Sequence, residues 1–198
     1  AETDYLPLMK LFADTLAIIV SGELTQLFSA RGMIERENYY QRIYAKTASL
    51  FEMSALAASM VATEDEDTRD SMKTFGYEVG MAFQIMDDVL DFTADPSAVG
   101  KPIGSDLLNG LVTLPAIYFA EANPNDEDII SLHNGGWKDT ERVQRLVDTI
   151  SRSQAIEQAM EEGHQAVCRA LNALEESPAS PEKEALEDLA RFIVDRKI

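Results

Sequence analysis

Three carboxylates close an otherwise apolar stretch from Gly80 to Phe92, Gly-Met-Ala-Phe-Gln-Ile-Met-Asp-Asp-Val-Leu-Asp-Phe. Read as a helix, this stretch sets Asp87 and Asp91 at i and i+4 on one face, with Asp88 alongside. Like charges at that spacing cost a helix roughly 0.2 to 0.5 kcal/mol per pair when nothing offsets them. A positive partner is therefore expected. Oxygen-only ligands suit a hard cation, and Mg²⁺ takes one or two carboxylates together with waters and substrate phosphates. Lys101, ten residues beyond Asp91, is a cation suited to the same phosphates. The plain alternative is a solvated helix end in a very acidic protein. Phe83, Ile85, Met86, Val89, Leu90 and Phe92 around the acids argue instead for a largely buried helix whose carboxylates line a cleft.

Such acids need a scaffold, and the apolar pattern supplies helices. Pro7 opens one that runs to about Ala30, with Leu8, Leu11, Phe12, Leu16, Ile19 and Leu27 near helical period. Glu23 and Gln26 are its polar residues. A second helix is predicted from about Asn38 to Val61. It carries Lys46 among Ala45, Thr47 and Ala48, where a lysine must snorkel or meet a partner. The third, from about Asp67 to Phe92, follows five acids in the seven positions Glu64 to Asp70, a run that lacks the glycine and alternation of a calcium loop. Thr63 or Asp65 is its expected cap. Gly76 and Gly80, four apart, permit close packing against a neighbour.

Asp95-Pro96 and Val99-Gly100-Lys101-Pro102 read as a loop able to bring an ammonium and backbone amides to an anion. Asp106 is expected to cap a fourth helix to Ala122, kinked or restarted at Pro115. From about Thr140 to Glu176, and again from Pro181 to Arg196, the chain is amphipathic helix, with Val143, Leu146, Val147 and Ile150 as one stripe. His133 and His164 have no ligand spacing, and Cys168 is read as helix core.

Composition narrows the functions. Lys plus Arg is 17 and Asp plus Glu is 35, a net charge of −18 that opposes nucleic acid and anionic membranes. A phosphate substrate would need metal ions as go-betweens. The 198 residues suit a single all-α domain, no apolar run reaches the roughly 18 residues of a transmembrane helix, and one cysteine fits a reducing, cytoplasmic setting.

Phe83-Gln84-Ile85-Met86-Asp87-Asp88-Val89-Leu90-Asp91-Phe92, then Gly100-Lys101-Pro102 and Gly104-Ser105-Asp106-Leu107-Leu108, resembles the second aspartate-rich region of the trans-type polyprenyl diphosphate synthases. Lys46-Thr47 before Ala48-Ser49-Leu50-Phe51 is similar to the family's Lys-Thr segment, and Asn109 to Pro115 to another, although Leu111 stands where many members carry Lys or Arg. The resemblance spans nearly the whole chain and is nearest to bacterial long-chain (heptaprenyl or octaprenyl type) catalytic subunits. It implies an isoprenoid-synthase-like helical bundle. The family's first aspartate motif has no match and is expected to precede Ala1, so the chain is expected to be the C-terminal portion of a synthase, inactive alone.

What the resemblance implies for the complete enzyme is elongation of an allylic diphosphate with isopentenyl diphosphate. Asp87, Asp88 and Asp91 would hold Mg²⁺, and Lys46 and Lys101 would bind the allylic diphosphate. Thr47 and Gln84 would line the forming cation, and Gln26 would contact substrate. A homodimer, or a heterodimer with a second synthase subunit, and a product serving menaquinone side chains are further expectations. Two competing readings are a non-catalytic acidic module that binds partner proteins and a terpene cyclase of the same fold. The first leaves the lysines and aspartates around one cleft unexplained, and the second usually mixes Asn, Ser or Thr with Glu in this motif.

Overall fold

The computed structural model describes residues 4–29, 32, 35–94 and 102–196, with the side chains of 26–29 left aside. Among these residues the fold is helical. The order is α1 (Leu6–Ser29), α2 (Arg36–Ile43), a π-helical turn (Tyr44–Ala48), α3 (Ser49–Ala62) and α4 (Glu66–Thr93). Then come α5 (Ser105–Leu108), α6 (Leu114–Ala122), α7 (Glu127–His133), a 3₁₀ turn (Gly136–Lys138), α8 (Thr140–Ile150), α9 (Ala155–Ala173) and α10 (Pro181–Asp195).

The acid-bearing helix is the axis of the molecule. Its N-terminus is set by Asp65, whose carboxylate accepts from the Thr68 amide at 3.0 Å, with Glu66 and Asp67 in the first turn where negative charge suits the dipole. Beyond that turn α4 is buried on several sides, packing against α3 on one flank and α9 on another. One core gathers Tyr39, Ile43, Met81, Ile85, Val89 and Phe92 with Ile117 and Leu146; a second gathers Phe75, Val79 and Met86 with Val167, Leu174 and Ile193. Each such large side chain contributes about 1.5 to 3 kcal/mol on burial. Gly76 and Gly80 set the α3–α4 distance. A Cβ on Gly76 would lie 2.6 Å from the Phe51 carbonyl oxygen, and one on Gly80 2.5 Å from Ala48 Cα.

Two elements differ from the sequence expectation, while the fourth helix restarts at Pro115 as expected: α5 ends at Leu108, and α6 starts afresh with Pro115 in its first turn, where its missing N–H costs nothing. The long predicted helix from Thr140 breaks at residues 151–154. There the Ser151 and Ser153 hydroxyls donate to the Val147 and Ile150 carbonyls, and Ser153 Oγ accepts from the Ala155 amide, competing with the helical ladder. Cys168 is exposed, not core, because α9 buries Gly163, Ala166, Val167 and Ala170 and turns position 168 outward. The stripe Val143, Leu146, Val147 and Ile150 is buried as its period required. No described helix is long and apolar enough to cross a membrane.

Candidate active site

Lys46 and Thr47 sit on the π-helical turn between α2 and α3, a form of extra-residue turn that recurs at functional sites. The absent side chain at Gly80 lets α4 approach this turn, and one helical turn further along α4 Gln84 meets it. Thr47 donates from Oγ1 to Gln84 Oε1 at 2.7 Å, and Gln84 Nε2 donates to Asp88 Oδ1 at 3.0 Å. The other Asp88 oxygen accepts from the Tyr39 hydroxyl at 2.8 Å. Lys46, Gln84 and Asp88 line one narrow crevice with Arg42, Asp106 and Leu111. Lys46 itself is exposed, the snorkelled position its long stem allows.

The three aspartates occupy three different environments. Asp88 is only 3% exposed, and burial pushes its carboxyl up to about 7, against the opposing pull of its Gln84 and Tyr39 hydrogen bonds and the Arg42 charge. Burial, with the Asp88 charge, also raises the Tyr39 hydroxyl well above its ordinary value, so it stays a proton donor. Asp91 accepts from Ser105 Oγ at 2.7 Å and from the Ser105 and Asp106 amides at 3.1 Å each, so it holds the start of α5. Gly104 makes that approach possible: its backbone is left-handed (φ 68°), and its amide donates to the Asp91 carbonyl at 2.7 Å. Asp87 is half-buried, its side chain 39% exposed, and it pairs through Oδ1 with Arg196 just past the end of α10. Arg196 also donates to the Phe83 carbonyl at 3.1 Å and lies over the Phe83 ring.

The structure thus brings Lys46, Thr47, Gln84 and Asp88 together and gives Asp87 and Asp91 separate partners. Lys101 lies outside the described residues, as does the Gln26 side chain, although position 26 is within α1.

The polyprenyl synthetase family model matches residues 1–150. The chain belongs to the polyprenyl synthetase family. Within that family, the octaprenyl diphosphate synthase of Haemophilus influenzae is 32% identical over 200 residues, covering 99% of this chain and 60% of that protein. The heptaprenyl diphosphate synthase from Staphylococcus aureus superposes with a TM-score of 0.90 at 30% identity, over 97% of this chain and 60% of that one. The polyprenyl synthase from Caulobacter crescentus, solved in complex with calcium and isoprenyl diphosphate, gives 0.87 at 29% identity, over 100% of this chain and 61% of that one. The chain therefore spans about 60% of the length of these members of the family.

Sequence reasoning missed Tyr39, Arg42 and Arg196. Tyr39 and Ile43, at i and i+4, are legible only as a buried stripe of α2. Arg42 donates to the Val112 carbonyl at 2.5 Å, and its nearness to Asp88 comes from the pairing of α2 with α4, which no local pattern encodes. Arg196 reaches Asp87 from 109 positions away, and nothing near Arg196 in sequence marks it.

Proposed function

We propose that this chain is the C-terminal portion of a long-chain polyprenyl diphosphate synthase, a cytoplasmic, dimeric prenyltransferase. The complete enzyme breaks the bond between an allylic carbon and its diphosphate, joins that carbon to the double bond of isopentenyl diphosphate, and releases a proton. The observation that carries this reading is the convergence of Lys46, Gln84 and Asp88 on one crevice, with Thr47 bonded to Gln84 behind them. An acidic protein-binding module gives no reason for a buried carboxylate wired to a threonine beside a cleft lysine. The relative solved with a divalent ion and isoprenyl diphosphate supports the same substrate class.

Lys46 binds the diphosphate as a point charge, and Lys101 is assigned the same task. Thr47 and Gln84 present oxygen dipoles to the carbon that becomes electron-poor, which lowers the barrier because they are already aimed before the bond breaks. Among the described residues no three His, Cys, Asp or Glu side chains form a metal cage. The donor chemistry fits an ion held by the Asp87 carboxylate and completed by diphosphate oxygens and water, the habit of Mg²⁺. When bound, Mg²⁺ offsets the negative charge that builds on the departing diphosphate. Asp88, sealed by Gln84 and Tyr39, is better suited to orienting its neighbours than to direct ligation. Asp91 serves the metal only insofar as its hold on α5 is relaxed. The product on this reading is a long-chain polyprenyl diphosphate of the kind that serves menaquinone side chains.

The test is product analysis after incubating the complete synthase with a short allylic diphosphate, isopentenyl diphosphate and Mg²⁺. Elongated polyprenyl diphosphates are expected, with turnover reduced at least 100-fold in Asp87→Ala and no elongation by residues 1–198 alone. An unaffected rate in Asp87→Ala overturns its assigned role, and robust elongation by the 198 residues overturns the assignment as a portion.

A further inference from the structure

The hydrogen-bond chain behind Thr47 has a direction, and the direction is fixed from its far end. Both oxygens of Asp88 act as acceptors here, Oδ1 from the Gln84 amide at 3.0 Å and Oδ2 from the Tyr39 hydroxyl at 2.8 Å. With both Asp88 oxygens accepting, Gln84 presents its NH₂ to Asp88 and its carbonyl oxygen to Thr47. Thr47 then spends its single hydrogen on Gln84 Oε1 at 2.7 Å, leaving only lone pairs on its hydroxyl oxygen. Were the Gln84 amide reversed, Thr47 would accept from it and turn its hydrogen outward, presenting the positive end of the dipole.

We propose that Tyr39 is a positioning residue that, through Asp88 and Gln84, fixes the polarity of the Thr47 hydroxyl so that it presents its lone pairs to the electron-poor carbon. The proposal rests on the prenyltransferase reading given above. Tyr39 is 1% exposed and stands on α2, one turn before the π-helical turn that carries Thr47, so it touches no substrate. Its hydroxyl is the one donor recorded on Asp88 Oδ2 among the described residues. Without it that oxygen is left buried and unpaired, at a cost that favours rotation of the carboxylate. Such a rotation lets the Gln84 amide turn over. A tyrosine that merely fills the core would stabilise the fold equally well through its ring, and its hydroxyl would have no bearing on turnover.

The experiment is a double-mutant cycle in the complete synthase, using Tyr39→Phe, Thr47→Val and the pair, with kcat and KM measured for both diphosphates and thermal melts run alongside. Tyr39→Phe is expected to lower kcat about 10-fold and to leave both KM values within two-fold. In the Thr47→Val background, where no hydroxyl is left to orient, the same change is expected to alter kcat by less than two-fold. Should Tyr39→Phe fail to fold, Asp88→Asn, which keeps the volume and removes the directional constraint, replaces it with the same expected split. A lower melting temperature with unchanged kcat, or kcat losses that multiply in the double variant, overturns the proposal. If the wild-type synthase makes no polyprenyl product, the reading beneath it fails instead, so the two failures are distinguishable.

Discussion

Asp87, Asp88 and Asp91 have the same side chain within five positions, and their surroundings make them chemically different. Asp88 illustrates how far. Its folded-state value of about 7 lies above the ordinary 3.8, so between about pH 4 and 7 the folded chain holds a proton that the unfolded chain has released. The stability this contributes is complete below about pH 4 and lost as pH rises through 7. Asp88→Asn has no such proton. The stability of wild type minus that of Asp88→Asn is therefore expected to fall between about pH 4 and pH 7 and to level off above it in thermal melts of the 198-residue chain, and a pH-independent difference would contradict the burial argument. At this scale the sequence was informative about residue type and spacing. The aspartates and Lys46 stood out because acids and a lysine in apolar helices need a reason, whereas Thr47 and Gln84 came only from the family resemblance. That Asp91 accepts from Ser105 and Asp106, or that Asp87 meets Arg196, depends on loop closure and on a helix over 100 positions away.

The elements exist because their periodicity is strong, and the site exists because two of them come unusually close. Gly80 is where that closeness is set, its missing side chain facing Ala48 on the π-helical turn. Gly80→Val should force α4 away from that turn, costing about 1 to 3 kcal/mol by overpacking, and should lengthen the contact between Thr47 and Gln84. Urea denaturation of the chain checks the first part; a midpoint unchanged from wild type would show that the approach is not tight. Helices with long uninterrupted stripes, α1 and α4, were legible to within a residue or two. The break at residues 151–154 was not, because the serines at 151 and 153 act by hydrogen bonding locally and leave the apolar stripe on either side in phase. The π-helical turn was equally hidden: Tyr-Ala-Lys-Thr-Ala has no residue that dictates it, and tertiary packing against α4 is its evident cause.

On the scale of the whole molecule, α1 presents Leu6, Phe12, Leu16, Val20 and Leu24 to solvent, each between 46 and 77% exposed, at the spacing of a helix face. Isolated surface leucines need no explanation, but a face of this extent on one helix is uncommon in a finished monomer. It accords with a chain that spans about 60% of its relatives' length. The charge of −18 belongs to the same scale, since it repels diphosphate everywhere except where lysine or a divalent ion intervenes. On the proposed function, Asp87 would hold a magnesium ion beside a diphosphate that Lys46 would also bind. The most direct measurement is calorimetric titration of the complete synthase with inorganic diphosphate, with and without Mg²⁺. Binding is predicted only when Mg²⁺ is present, weakened at least 10-fold in Asp87→Ala and in Lys46→Ala. Equal binding without the metal, or in both variants, would contradict it.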